Sequence, residues 1–192
     1  MALVTDPAWI LTKNSIMGKV VGMFALLSEE FRENVGSGFP AGGLKGGGPD
    51  LKISKGENYK GLPYVMLDYP RIFGREDVLA IRTMFWWGHA FTVTLHLKGQ
   101  YKDLFLPVIR ERWGVLAEAG FHVGVSEDEW RHEHVPENYQ LIGEDARELE
   151  RVLKGQPFLK LSARCGLDRW EEAPAVLGEL FRVLVSVLAT AK

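Results

Sequence analysis

Residues 56–97 read GENYKGLPYVMLDYPRIFGREDVLAIRTMFWWGHAFTVTLHL. Strand-forming residues alternate there with polar residues capable of chemistry, which is typical of a sheet with one functional face. The runs 78–86 and 89–97 are rich in β-branched and aromatic residues. Trp87-Gly88 between them suits a tight antiparallel hairpin, because glycine accepts positive φ. Tryptophan is unusual in a turn, so a longer connection stays open as an alternative.

The segments around this hairpin supply further strands and several helices. Apolar residues recur every three or four positions over 12–34 and 102–119 and again near the C-terminus, which predicts amphipathic helices. Pro107 is expected in the first turn of the second helix, since deeper it would remove a helix hydrogen bond. Asp168 and Glu171 have the spacing of a capping box before the last helix. A short charged helix is expected over 144–153, and strands over 51–54, 62–69, 121–125, 139–142 and 158–163.

This order of elements decides the fold class. Consecutive strands joined by short turns pair antiparallel, and strongly amphipathic helices need a sheet face to cover. The sequence therefore predicts a single α+β domain over residues 1–192. We expect a central, mainly antiparallel sheet with helices covering one face.

Composition narrows the class of protein and the kind of partner. The chain has 192 residues, of which 46% are hydrophobic and 25% charged, and its net charge is -2. That balance is typical of a globular domain and gives no electrostatic reason to expect nucleic acid or an anionic membrane as a partner. Cys165 is the only cysteine, so an internal disulfide is impossible. The N-terminus lacks the pattern of a signal peptide, and we expect a cytoplasmic protein.

The glycine-rich segment 36–48 is the only stretch of low complexity. A P-loop needs Gly-Lys followed by Ser or Thr, whereas Lys45 precedes Gly46 here. A dinucleotide-binding loop follows a strand and opens a helix, but this segment follows a predicted helix. We therefore interpret it as a flexible loop, with a lid over a site as the alternative.

Three histidines, His122, His132 and His134, form a weak candidate for a metal site. In an extended segment His132 and His134 would point the same way, which is compatible with zinc or another transition metal. The surrounding sequence SEDEWRHEHVPEN is polar and rich in turn formers, as in a solvated loop. We expect no bound metal and no other cofactor.

The predicted hairpin carries the better candidate site. With a two-residue turn, Trp86 lies opposite His89 and Arg82 opposite Val93. Arg82 then sits in an apolar row and needs either a carboxylate or an anionic ligand to offset its desolvation. Asp68 on the preceding strand could supply the carboxylate. The functional alternative makes Arg82 or Arg71 the anchor for an acidic ligand, and the predicted ligand-binding residues are then Tyr69, Arg71, Arg82, Trp86 and His89.

Three functions remain open at this point, because no motif specifies a reaction. The first is a small cytoplasmic domain that binds a ligand, such as a small polar or acidic molecule, or a partner protein. The second is an enzyme acting on a small polar or acidic substrate, with His89 or His96 as general acid or base and Asp68 as a further catalytic candidate. The third is a homo-oligomeric structural protein without a small ligand.

Overall fold

The computed structural model describes residues 2–35, 50–143, 145, 147–153 and 155–189. The helices are α1 (Ala2–Thr5), α2 (Ala8–Val35), α3 (Gln100–Glu111), α4 (Trp113–Glu118), α5 (Arg147–Leu153) and α6 (Ala173–Leu188), with a 3₁₀ helix at Leu167–Glu172. The strands are β1 (Asp50–Tyr59), β2 (Leu62–Phe73), β3 (Val78–Trp86), β4 (Ala90–Lys98), β5 (His122–Gly124), β6 (Tyr139–Leu141) and β7 (Phe158–Gly166). The glycine-rich segment 36–48 lies outside the described residues.

The strands form one seven-stranded sheet in the order β1-β2-β3-β4-β7-β5-β6, and every pairing is antiparallel. The first four strands form a meander, because each connection is short. The predicted α+β fold with a mainly antiparallel sheet is confirmed. The predicted hairpin of β3 and β4 is confirmed as well.

The turn of that hairpin differs from the two-residue prediction. Trp86 pairs with Ala90, so three residues, 87–89, form the connection, and Gly88 has φ of 74°. The extra residue moves every side chain of β4 to the opposite face from the predicted one, because side chains alternate along a strand. Arg82 therefore lies opposite Thr94 rather than Val93.

The helices cover one face of the sheet, which we call the helix face. In α2 the buried residues recur at helical spacing, and Phe31 stacks on Phe181 of α6 with ring centroids 3.7 Å apart. Leucine, valine and phenylalanine side chains of the five long strands complete this core. By length and composition α2 could also cross a bilayer, but a core helix passes the same test and its buried stripe packs against the protein.

The other face of the sheet, which we call the loop face, is covered by the segment between β5 and β6, residues 125–138. We call this segment the β5–β6 loop. Met66, Met84 and Trp86 form a small apolar cluster at one end of the loop face. Polar side chains occupy the rest of that face, and several of them are buried, including Asp68, Thr94, His96, Lys160 and Ser162. The loop face is therefore a polar interior.

Two local predictions about the helices are wrong. Pro107 lies inside α3 rather than in its first turn, since the helix already begins at Gln100. The proposed capping box is not formed: residues Leu167–Glu172 make a 3₁₀ helix, and α6 begins at Ala173 with Pro174 in its first turn. Proline at that position sacrifices no helical hydrogen bond, because the first N–H groups of a helix lack partners within it.

Candidate functional site

Register brings polar residues from four strands into one row across the loop face. Asp68 pairs with Arg82, Arg82 with Thr94, and Thr94 with Ser162. The neighbouring row runs through Met66, Met84, Thr92 and Arg164. Because paired residues of antiparallel strands point to the same face, these side chains form a continuous surface beneath the β5–β6 loop.

Arg82 is fully engaged within the protein. Its Nε donates a hydrogen bond to Asp68 Oδ1 at 2.7 Å, and its Nη2 donates to Oδ2 at 3.0 Å. Its Nη1 lies 3.1 Å from His132 Nε2 and donates to it, so that imidazole is neutral. The predicted Asp68–Arg82 ion pair is confirmed. Arg82 is thus a structural group that ties the loop to the sheet, and it is not free to anchor a ligand.

Lys160 and Glu129 fasten the outer part of the β5–β6 loop. Lys160 is 2% exposed and donates hydrogen bonds to the backbone carbonyls of Glu129 and Arg131. The Glu129 carboxylate accepts hydrogen bonds from Lys98 at 2.7 Å and His96 at 3.0 Å. Burial lowers the pKa of Lys160 to about 7, and the two carbonyls offset part of the desolvation of its ammonium form. Since the amine and the ammonium can both donate to these carbonyls, the lysine holds the loop in a defined place.

Glu133 fastens the inner part of the same loop. Its carboxylate accepts hydrogen bonds from the Tyr59 hydroxyl, Lys60 and Arg131. Burial alone would raise the pKa of Glu133, but these hydrogen bonds outweigh it and hold the pKa well below its usual range. Glu133 is therefore ionised and already saturated with donors, and it joins the β1–β2 turn to the loop.

A cavity of about 270 Å³ remains between the tip of the β3–β4 hairpin, the end of β7 and the β5–β6 loop. Its hairpin wall consists of Trp86 and His89, which stack with ring centroids 3.5 Å apart and an interplanar angle of 8°. Met84, Ala90 and Thr92 line it from the sheet. The opposite wall is made by the loop residues His132, Glu133, His134 and Val135, with Lys60 and Arg164 completing the lining.

Arg164 is the cation of this cavity that has no hydrogen-bond or ion-pair partner among the described residues. Its side chain is exposed at the end of β7, and it forms no hydrogen bond or ion pair within the described part of the chain. Lys60, the other cation, is paired with Glu133. An unpaired guanidinium beside an apolar wall favours a planar anionic group such as a carboxylate.

The loop histidines of the cavity are neutral. Burial lowers the pKa of His134 to about 3 and the pKa of His132 well below its ordinary value, and nearby cations add to both shifts. His134 Nε2 lies 2.8 Å from Ser162 Oγ, which lies 2.7 Å from Thr94 Oγ1. This resembles a nucleophile–base pair, but Ser162 is 0% exposed and cannot reach a substrate.

The catalytic candidates lie apart from one another. His89 lines the cavity, whereas His96 is buried under the loop and contacts Glu129, and Asp68 is occupied by Arg82. Burial and the neighbouring Lys160 lower the pKa of His96 to about 4, so it donates to Glu129 as a neutral ring. Among the described residues, the imidazole of His89 contacts no carboxylate. A catalytic pair in the cavity therefore lacks support.

The five predicted ligand-binding residues do not share one cavity. Trp86 and His89 both line it, and their role in binding a ligand stays a prediction. Tyr69 lies in the core on the helix face, and Arg71 pairs with Asp50 at the far end of β2, with 3.0 Å between Nη1 and Oδ2. Arg82 is connected to the cavity wall by its hydrogen bond to His132. The hypothesis of a single pocket lined by all five is therefore corrected to a smaller set.

The three histidines considered for metal binding have separate hydrogen-bond partners. His122 Nδ1 lies 3.1 Å from the Gly120 carbonyl oxygen, His132 accepts from Arg82, and His134 contacts Ser162. No group of three metal-ligating side chains occurs within the described ranges. The expectation of a metal-free protein stays a prediction.

Sequence reasoning missed Arg164 and the inner residues of the β5–β6 loop. The signal for Arg164 was present, since Lys160, Ser162 and Arg164 alternate with Leu161 and Ala163 along one strand. That period of two places all three polar residues on the loop face. Glu133 and Lys60 meet through a contact across 73 residues, which no local pattern indicates.

No protein-family model, curated protein or solved structure matches this chain. Its function must therefore be argued from the cavity and from the residues that form it.

Proposed function

We propose that this protein binds a small acidic molecule in the cavity between the β3–β4 hairpin tip, β7 and the β5–β6 loop. The observation that carries the proposal is Arg164, a guanidinium without a hydrogen-bond or ion-pair partner among the described residues, which lines a cavity whose other charged groups, Lys60 and Glu133, neutralise each other. A charge-assisted hydrogen bond from arginine to a carboxylate contributes about 1.5–3 kcal/mol. The volume of about 270 Å³ suits a ligand of one or two rings.

The cavity walls are held in place before a ligand arrives. Arg82 holds His132, Lys160 holds the loop backbone, and Glu133 is fixed by several donors. A preorganised wall reduces the entropy lost on binding, so a small ligand can bind with useful affinity. In a binding protein, these buried polar groups would serve to position the β5–β6 loop. A purely apolar interface would hold the loop in a less defined position.

The enzymatic alternative has less support. It would need an accessible histidine close to a carboxylate or nucleophile, and the accessible His89 lacks such a neighbour in the described chain. The homo-oligomeric alternative gains some support from the exposed Leu11 and Leu26 on α2, but it does not account for the polar cavity. A cytoplasmic location remains part of the proposal, in keeping with the single, buried Cys165.

Ligand-observed NMR with a panel of small carboxylic acids, phosphates and the matching neutral amides tests this proposal. We expect acids to bind and the corresponding amides to bind at least about tenfold more weakly, from the loss of one charge-assisted bond. Arg164→Gln should weaken acid binding by the same factor. Arg112→Gln removes an exposed arginine outside the cavity and is the matched control for net charge.

Two results would contradict the proposal. One is a panel in which acids and amides bind equally well or not at all. The other is an equal loss of acid binding in Arg164→Gln and Arg112→Gln, which would reduce the effect to general electrostatic attraction. Both arginines are exposed, so neither substitution should disturb the fold.

A further inference from the structure

His89 is the last residue of the β3–β4 turn. It follows Gly88, its side chain is exposed, and its ring forms no hydrogen bond within the described residues. Its principal contact is a parallel stack on Trp86 at 3.5 Å. A side chain held by one stacking contact readily leaves its partner and moves into solvent, because such a contact contributes only about 0.5–1.5 kcal/mol.

Trp86, by contrast, is fixed in place. Its indole Nε1 donates to the Tyr59 carbonyl oxygen at 3.2 Å, and the Tyr59 and Trp86 rings form a T-shaped pair with centroids 5.2 Å apart. Met84 and Met66 pack beside it in the same cluster. One flat face of an immobile indole is therefore covered by a removable imidazole, inside the cavity that contains Arg164.

We propose that His89 occupies, in the ligand-free protein, the place of a planar ring of the ligand. The ligand is then an aromatic or heteroaromatic acid whose ring displaces His89 from Trp86 while its carboxylate pairs with Arg164. This inference rests on the proposed function and specifies its ligand class. It also assigns His89 a role as a displaceable cover rather than as an acid or base.

The spacing of the two binding elements suits such a molecule. Arg164 pairs with Thr92, and Thr92 pairs with Met84, the residue two positions before Trp86. Two strand spacings put Arg164 roughly 10 Å from the backbone of β3. An arginine side chain together with a single ring joined to its carboxylate by a short linker is long enough to span that distance. Ala90 and Thr92 between them are small enough to leave that path open.

Isothermal titration with two matched probes tests the inference. Trans-cinnamate is planar, and 3-cyclohexylpropanoate has the same charge and number of heavy atoms but no planar ring. In the wild-type protein cinnamate should bind more tightly. His89→Ala should tighten cinnamate binding between about twofold and tenfold, the equivalent of one aromatic stacking contact, and leave 3-cyclohexylpropanoate unchanged.

His89→Phe supplies the opposite perturbation. A phenyl ring is a more apolar cover for Trp86, so this variant should weaken cinnamate binding. Both substitutions are at an exposed turn position, and a one-dimensional proton spectrum verifies that each variant is folded. Arg164→Gln should weaken binding of both probes.

The outcomes separate this inference from the proposed function. If His89→Ala weakens or does not change cinnamate binding while Arg164→Gln still weakens it, the displacement of His89 is refuted and the acid-binding function stands. If neither probe nor any other small acid binds the wild-type protein, both proposals are refuted. Equal tightening of both probes by His89→Ala would show simple enlargement of the cavity and would also overturn the inference.

Discussion

Replacing Asp68 with alanine tests the interpretation of the loop face as a preorganised polar interior. The side chains of Arg82 and Asp68 are 15% and 6% exposed, and the two hydrogen bonds between them measure 2.7 and 3.0 Å. Asp68→Ala removes both acceptors and leaves the buried guanidinium with His132 as its one remaining side-chain hydrogen-bond partner among the described residues, beside the Phe73 ring. The variant isolates the cost of an unpaired buried charge.

The expected loss of stability is large. Removing one partner of a buried ion pair costs about 3–5 kcal/mol. For a chain of this length each kcal/mol lowers Tm by about 2–4 °C, so the melting temperature should fall by about 6–20 °C. Urea unfolding followed by circular dichroism measures the free energy directly, provided that the m-value does not change.

Two controls show whether the charge is the cause. The double variant Asp68→Leu, Arg82→Met removes the whole pair and should cost only about 1 kcal/mol, mainly because His132 loses its donor. Glu179→Ala breaks an exposed pair with Arg182 and should cost less than about 1 kcal/mol. If Asp68→Ala is at least as stable as the double variant, the interpretation of Arg82 as a buried charge that requires Asp68 is refuted.

Three further predictions concern the same polar layer. The free energy of unfolding should decrease as pH falls from 6.5 towards 4, because His96 and His134 bind protons in the unfolded chain but stay neutral in the folded state. A free energy of unfolding that does not change between pH 6.5 and 5 would contradict this. Lys160→Met should speed hydrogen exchange of the β5–β6 loop backbone more than that of the β3–β4 hairpin. Equal protection of the loop in the wild-type and variant proteins would show that Lys160 does not hold the loop in place. Glu133→Gln keeps the shape but loses the charge that Lys60 and Arg131 contact, so it should destabilise by about 2 kcal/mol in urea unfolding, whereas an unchanged midpoint would be inconsistent with the saturated carboxylate.

Much of the fold could be predicted from local sequence. The helical period of α2, the composition of β3 and β4, and the order of strands and helices are each encoded within short segments. The Asp68–Arg82 pair was also predictable, because a charged residue within an apolar row of a strand requires a neighbour of opposite charge. Predicting this pair requires only the face of the sheet that each residue occupies and the residues on the adjacent strand.

The candidate site could be predicted only in part. Trp86 and His89 come from one hairpin and were found together. Arg164 belongs to a strand that enters the sheet after a connection of about sixty residues, and its position beside β4 follows from strand order rather than from sequence pattern. Tyr69 and Arg71 were also assigned to the site, but Tyr69 follows Asp68 directly and therefore points to the helix face. Arg71 stays on the loop face, where it pairs with Asp50 at the far end of β2, away from the cavity.

The three-residue hairpin shows how one position determines the chemistry of a surface. With two turn residues, β4 would present Phe91 and Val93 beside Arg82, and the loop face would be apolar around one buried charge. With three, Thr92 and Thr94 face Arg82 instead, and they lead across the sheet to Ser162 and Arg164. An apolar face would require a second layer of helices to cover it, whereas this polar face is covered by a loop that hydrogen-bonds to it. The additional residue is His89 itself, so the same position that makes the face polar also supplies the ring that covers Trp86.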